Sequence, residues 1–221
     1  MKLSERIYEI AESLWPSCLE NPFVVEMAKG TLPIEKFRYY MLQDYLYLKD
    51  YVKIFAEIIK KSDDLEEMQY LCKVMSETID ETARTHLPYM KRLGISDEEI
   101  ESAKAHPYNS EYTGYMLSVA ENGSVLHGLT ALLNCSWEYA YVAENMVRIY
   151  PEALEGEHYG LWFSGYVSDE YRRTNQELIE RIDRLAEKSS EEEIDYLLSV
   201  FRKTAFYDMR FWDMVYSLGN L

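Results

Sequence analysis

The side chains of this 221-residue chain whose types and spacings could do chemistry are the thiol of Cys135 and the carboxylates of Asp44 and Asp208. Asp44 stands at the centre of an aromatic stripe, Phe37, Tyr40, Tyr47, Tyr51 and Phe55. The i, i+3/i+4 spacing of these residues puts them all on one helix face. A carboxylate buried there without a partner costs several kcal/mol. Asp44 therefore calls for a basic residue of the protein or for the amidine-like edge of a ligand. Asp208 lines up with Phe201, Thr204, Ala205, Phe211, Trp212 and Val215, whereas Asp213 is spaced to point elsewhere. Cys135 shares a stripe with Ala131, Leu132, Tyr139 and Val142.

Each of these residues has a plain reading beside the chemical one. A cysteine in an apolar stripe is commonly a small buried hydrophobe. As a nucleophile it needs a lowered pKa or a neighbouring proton acceptor. Tyr47 and Tyr139 are the hydroxyls within plausible reach. Two inward carboxylates can divide labour, one ionised to bind and one protonated to donate, or they can belong to a structural charge network. Twenty tyrosines lift the aromatic share to 14%. Tyrosine suits a wall that stacks on a polar heteroaromatic ligand, and equally an ordinary core.

The elements that must position these groups are helices. Scarce glycines and prolines punctuate long amphipathic segments. The expected helices are 4–20 (bent or ended near Trp15-Pro16), 22–30, 31–61, 64–92, 96–104, 109–121, 124–149, 159–166, 168–187 and 190–217. Gly30 is expected as a C′ residue, and Ser96–Glu99 and Ser190–Glu193 as capping boxes. No β-branched alternation, repeat or composition break appears. The expectation is one all-α domain over 1–221.

Bulk properties exclude several function classes. A net charge of −16 disfavours nucleic acid and anionic membrane surfaces as partners. The charged N-terminus lacks the apolar run of a signal peptide, and no stretch approaches the roughly 20 apolar residues of a membrane span. Cys18, Cys72 and Cys135 are odd in number and far apart, so neither a zinc knuckle nor a disulfide framework is indicated. The chain reads as reduced and cytoplasmic. Among the histidines His86, His106, His127 and His158, the single Glu-x-x-His pair is Glu155–His158, in a loop and without the second copy that a di-iron bundle needs. Glu77, Glu81 and His86 are poorly spaced as one ligand face. No cofactor or metal is expected, and His86 is expected to satisfy polar groups in the core or to lie near the surface.

The stretch Asn21–Tyr47, with Asn21-Pro22-Phe23, Gly30-Thr31-Leu32, Phe37 to Tyr40 and Gln43-Asp44-Tyr45-Leu46-Tyr47, resembles the N-terminal signature of the TenA (thiaminase II) family. Glu111–Tyr115, Leu133–Tyr139, Trp162–Tyr166 and Phe211–Met214 match further elements in the same order. The resemblance implies a haem-oxygenase-like helical fold without haem, and a homotetramer. It also implies hydrolysis of 4-amino-5-aminomethyl-2-methylpyrimidine to the hydroxymethyl pyrimidine and ammonia, with cleavage of thiamin in many members. On the same resemblance Cys135 is the nucleophile, and Asp44 binds the ring nitrogen and amino edge. Tyr47 sharpens the thiol, Tyr139 contacts the substrate, Tyr112 and Tyr166 line the pocket, and Asp208 donates a proton. A non-catalytic pyrimidine-binding or regulatory protein, the same chemistry on another heterocycle, and a metal-dependent oxidase are the alternatives.

Two positions depart from the family pattern. Asp208 stands where cysteine-type members commonly carry Glu, one methylene longer, which implies a water bridge or a shifted helix. Asn134 replaces the proline commonly found before the cysteine, which implies altered local helix geometry.

Overall fold

Punctuation divides the chain into helices much as the sequence implies, in a computed structural model that describes residues 1–220. Helix α1 (Leu3–Leu14) ends where Pro16 cannot continue it, and a 3₁₀ segment (Trp15–Glu20) follows. Asn21 accepts a hydrogen bond from the Phe23 amide and so caps α2 (Pro22–Ala28). Gly30, at φ 69°, makes the left-handed turn that releases the chain into α3 (Ile34–Lys60). Capped by Asp64, α4 (Leu65–Glu81) leads through a wide π turn (Thr82–His86) into α5 (Leu87–Arg92).

Then come α6 (Asp97–Ser102), α7 (Pro107–Asn122) and α8 (Val125–Ile149). After a 3₁₀ turn (Pro151–Glu155), the chain ends in α9 (Gly160–Tyr166), α10 (Asp169–Ala186) and α11 (Glu191–Tyr216). Capping boxes form at Ser96 but not at Ser190, where only the Ser190 side chain caps. No strand occurs among the described residues.

The expectation of one continuous helix over 64–92 is corrected by the π turn. Pro88 has no N–H, and its ring would crowd the carbonyl of Arg84 in a regular α-helix. The chain relieves this by widening, so that the Leu87 amide donates to the Thr82 carbonyl five residues back. One extra residue thereby enters the helix, and the phase of His86 changes.

Helix α8 is the axis of the molecule. It packs on α3, α7, α10 and α11, and nearly every residue from Val125 to Asn134 is buried. Two apolar cores form around it. One gathers Ile7, Trp15, Phe55, Leu129, Leu132 and Phe201; the other gathers Phe23, Phe37, Tyr40, Val142, Phe163 and Trp212. Cys135 packs against both, so the seam between the cores runs through the thiol. Burying each such large side chain contributes about 1.5–3 kcal/mol.

Close approach of α8 to α3 depends on Gly128, where an added Cβ would meet Ile58 Cγ1 at 2.4 Å. Gly128→Val is expected to destabilise the fold by about 1–3 kcal/mol through overpacking, read as a lower denaturant midpoint at unchanged m-value. A midpoint equal to wild type would mean that the two helices are not held at this distance.

Candidate active site

At the seam lies a cavity of about 490 Å³ enclosed by α3, α4, the π turn, α8, α9 and α10. Its volume suits a small heteroaromatic ligand. The inner end is made by Asp44, Tyr47, Cys135, Tyr139 and Tyr166, and the outer end by Tyr70, Glu77, Asp80 and Glu170. The aromatic face of α3 reaches the wall because Phe37, Tyr40, Tyr47, Tyr51 and Phe55 are all buried on it. Tyr139 and Tyr166 hold ring centroids 5.2 Å apart, and Tyr166 meets Tyr171 edge-on at 4.9 Å.

The partner that Asp44 needs is His86. Its Nε2 lies 3.0 Å from Asp44 Oδ2, and both side chains are nearly buried. Burial alone disfavours the imidazolium. The hydrogen bond and charge of Asp44, joined by the charge of Glu81, outweigh it and leave the His86 pKa raised. Glu81 itself is pushed up by burial. His86 Nδ1 has no hydrogen-bond partner among the described residues. The sequence offered no route to this pair, because the π turn shifts the phase at which His86 leaves its helix.

Burial drives the Cys135 thiol well above its ordinary value, and the acidic surroundings of Asp208, Asp44 and Glu138 act in the same direction. A hydrogen bond from Tyr47 acts the other way. In this structure the Tyr47 hydroxyl donates to Met116 Sδ at 3.8 Å, a weak contact to a thioether. We take the hydroxyl to be a rotor free to turn to the thiol, since a thiolate is the far stronger acceptor. The resting group is thus a protonated thiol beside a hydroxyl that can stabilise its anion.

Of the expected site residues, Asp44, Tyr47, Cys135, Tyr139 and Tyr166 share the cavity wall, and Tyr112 and Asp208 do not. Tyr112, expected on the wall, sits one layer behind it, its ring 5.3 Å from that of Tyr47. Its hydroxyl donates to Asp208 Oδ2 at 2.9 Å. Asp208 sits within α11, which is helical from Glu191 to Tyr216. Helix α8 is likewise unbroken through Asn134. Sequence reasoning passed over Glu138, which is fully buried and accepts hydrogen bonds from Asn134 Nδ2 and Trp212 Nε1, both at 3.0 Å. The available signal was its spacing: Glu138 follows Asn134 by four residues on the apolar face of α8.

Among the described residues no group of three or more His, Cys, Asp or Glu side chains converges as a metal site. No described helix is long and apolar enough to cross a membrane.

A family model described as TENA/THI-4/PQQC matches residues 9–218. The chain belongs to this family. It is 36% identical over 216 residues to a Helicobacter pylori protein named aminopyrimidine aminohydrolase, covering 98% of this chain and 99% of that one. A protein of the same name from Halalkalibacterium halodurans is also 36% identical, covering 98% and 96%. Among solved structures, a TenA homologue from P. horikoshii superposes with a TM-score of 0.88 at 30% identity, covering 98% and 99% of the two chains. A Shewanella denitrificans domain described as having a haem-oxygenase-like fold superposes with a TM-score of 0.79 at 18% identity, covering 99% and 93%. The fold of the family member described above is therefore all-helical and haem-oxygenase-like.

Because the folded-state pKa of His86 is raised above the unfolded value of about 6.5, its contribution to stability is fully present below that value. It is lost as pH rises through the raised folded value. The stability gap between wild type and His86→Gln is expected to be largest near pH 5.5 and to shrink by pH 8.5, read from denaturant midpoints at each pH. A gap independent of pH would remove the charged pair from the account.

Proposed function

We propose that this enzyme, an aminohydrolase of the family, converts 4-amino-5-aminomethyl-2-methylpyrimidine and water to the hydroxymethyl pyrimidine and ammonia, with Cys135 as nucleophile. The observation that carries the reading is the presence, at the inner end of one aromatic cavity, of a thiol and a carboxylate already paired with an imidazole. The name carried by its relatives supports the substrate class. Cleavage of thiamin itself belongs to the same proposal, because its pyrimidine half carries the same ring and methylene.

In this reading Asp44, oriented by His86, accepts charge-assisted hydrogen bonds from the amino edge of the pyrimidine. Tyr139 and Tyr166 stack around the ring. The Cys135 sulfur adds to C6, its proton passing to the adjacent ring nitrogen while Tyr47 stabilises the developing thiolate. The amine then leaves the C5 methylene, taking up a proton that Asp208, behind the wall, supplies through a bridging water and regains from the water that adds next. Water adds to the exocyclic carbon, and elimination of the thiol from C6 restores the aromatic ring and the free Cys135. The reading includes a reduced, cytoplasmic setting and assembly into a homotetramer. Exposed Tyr8, Leu161, Tyr196 and Phe206 provide apolar surface that assembly could cover.

Ammonia release by wild type is expected to disappear in Cys135→Ser, measured with a coupled ammonia assay. A folded wild type that binds the pyrimidine without turnover would favour a binding protein instead. The shorter reach of Asp208 is expected to limit proton delivery, so Asp208→Glu should raise turnover several-fold. Unchanged or lower turnover in Asp208→Glu counts against that limit.

A further inference from the structure

Behind the cavity wall, two buried carboxylates converge on one amide. Asn134 Nδ2 lies 2.5 Å from Asp208 Oδ2 and 3.0 Å from Glu138 Oε2. The orientation of this amide is fixed independently. Trp15 Nε1, which can only donate, lies 3.0 Å from Asn134 Oδ1, so the nitrogen must face the acids. All three side chains are buried: Asn134 and Glu138 at 0% and Asp208 at 2% relative exposure. Neither acid forms a salt bridge with any described cation.

The hydrogen bonds distinguish the two acids. Both oxygens of Glu138 accept N–H bonds, Oε1 from Trp212 and Oε2 from Asn134. With N–H donors on both oxygens and the Cys18 thiol as a third donor, this carboxyl is the one of the two better suited to the ionised state. Asp208 accepts both of its bonds on Oδ2, from Asn134 and Tyr112, which leaves Oδ1 to carry a proton. Two like charges this close, without a cation, cannot both be ionised in an apolar interior.

We propose that Glu138 is a positioning residue: the Glu138–Asn134–Asp208 bridge holds a single proton, and the ionised Glu138 keeps it on Asp208. The role of that proton in turnover rests on the reading of Asp208 as proton donor. The location of the proton does not. Burial raises the pKa of both acids, and the charge of Glu138 is the largest charge acting on Asp208.

The other titratable groups facing Asp208 are Asp44, Tyr47 and Tyr51 from α3, Tyr112 from α7, Cys135 and Tyr139 from α8, and Cys18 from the 3₁₀ segment. Helices α1 and α2 turn Ile7, Ala11, Phe23 and Val24 towards the interior. None of these is a cation, so nothing near Asp208 replaces Glu138 as the group that sets its charge, and the remaining acids all act in the same direction.

Glu138→Gln removes the charge at nearly constant volume. In this variant the basic limb of kcat/KM, which reports loss of the Asp208 proton, is expected to move down by about 1–3 pH units, with KM for the aminomethyl pyrimidine little changed. A purely structural Glu138 would lower stability and leave that limb in place, and this result would overturn the proposal. The proton is also located without turnover, by the infrared carboxylic C=O band that disappears in Asp208→Asn. That band is expected in ligand-free wild type at pH 7 and should titrate away at lower pH in Glu138→Gln. Absence of such a band from wild type would overturn the proposal even if the Gln variant fails to fold, as would a carboxylic band that persists in Asp208→Asn and is lost in a folded Glu138→Gln. If Asp208→Asn instead retains turnover, Asp208 is not the donor, and the infrared result alone decides where the proton resides.

Discussion

Acidic groups inside an aromatic interior dominate the design of this protein. A carboxylate removed from water without a partner would cost several kcal/mol, a large fraction of the net stability of a domain. Three such groups are buried around one seam, and they are handled in two ways. Asp44 is given an imidazole at 3.0 Å. Glu138 and Asp208 receive neutral donors, the indole of Trp212, the phenol of Tyr112 and both N–H bonds of the Asn134 amide. Aromatic residues thus supply much of the polar satisfaction as well as the apolar bulk. Indole and phenol are the large side chains that can do both.

The state of the Cys135 thiol follows from the same arrangement. Helix α8 is buried around most of its circumference, and Cys135 is the point at which its two cores separate enough to leave a cavity. With acids nearby and no cation within salt-bridge range of Asp208, the thiol is held protonated at rest. In the proposed reaction, reactivity arises with substrate bound, when Tyr47 can turn from Met116 and the ring nitrogen can accept a proton. A thiol that is inert until its substrate is seated is protected from adventitious oxidation, which requires the thiolate.

Helix existence was legible in the sequence, because Pro16, Gly30, Asp64, Ser96 and Ser190 stop or cap segments by local chemistry that needs no tertiary contact. The face of α3 was legible too, since aromatic spacing fixes it and Asp44 interrupts it. The identity of the Asp44 partner was not. It depends on a π turn caused by Pro88, and periodicity read through that turn gives the wrong phase. Tyr112 was expected on the pocket wall and lies one layer behind it, because the layer in which a tyrosine lies is set by the separation of α3 and α7. Glu138 and Asn134 were legible only as polar residues on an apolar stripe. Their connection to Trp15 and Trp212 joins segments more than 70 residues apart in sequence.

Widening one turn of a helix adds a residue to the chain without adding a loop. Everything from Leu87 onward is rotated by about 100° relative to the register of α4. Deleting any one residue between Thr82 and His86 would remove the residue that the widened turn accommodates while leaving Pro88 in place. It would also either swing the imidazole off Asp44 or carry Tyr89 and Met90 out of the core that now buries them. The connection between α4 and α5 therefore acts as a length gauge. Substitutions there are judged one side chain at a time, whereas a change in residue count alters the catalytic wall and the hydrophobic interior together.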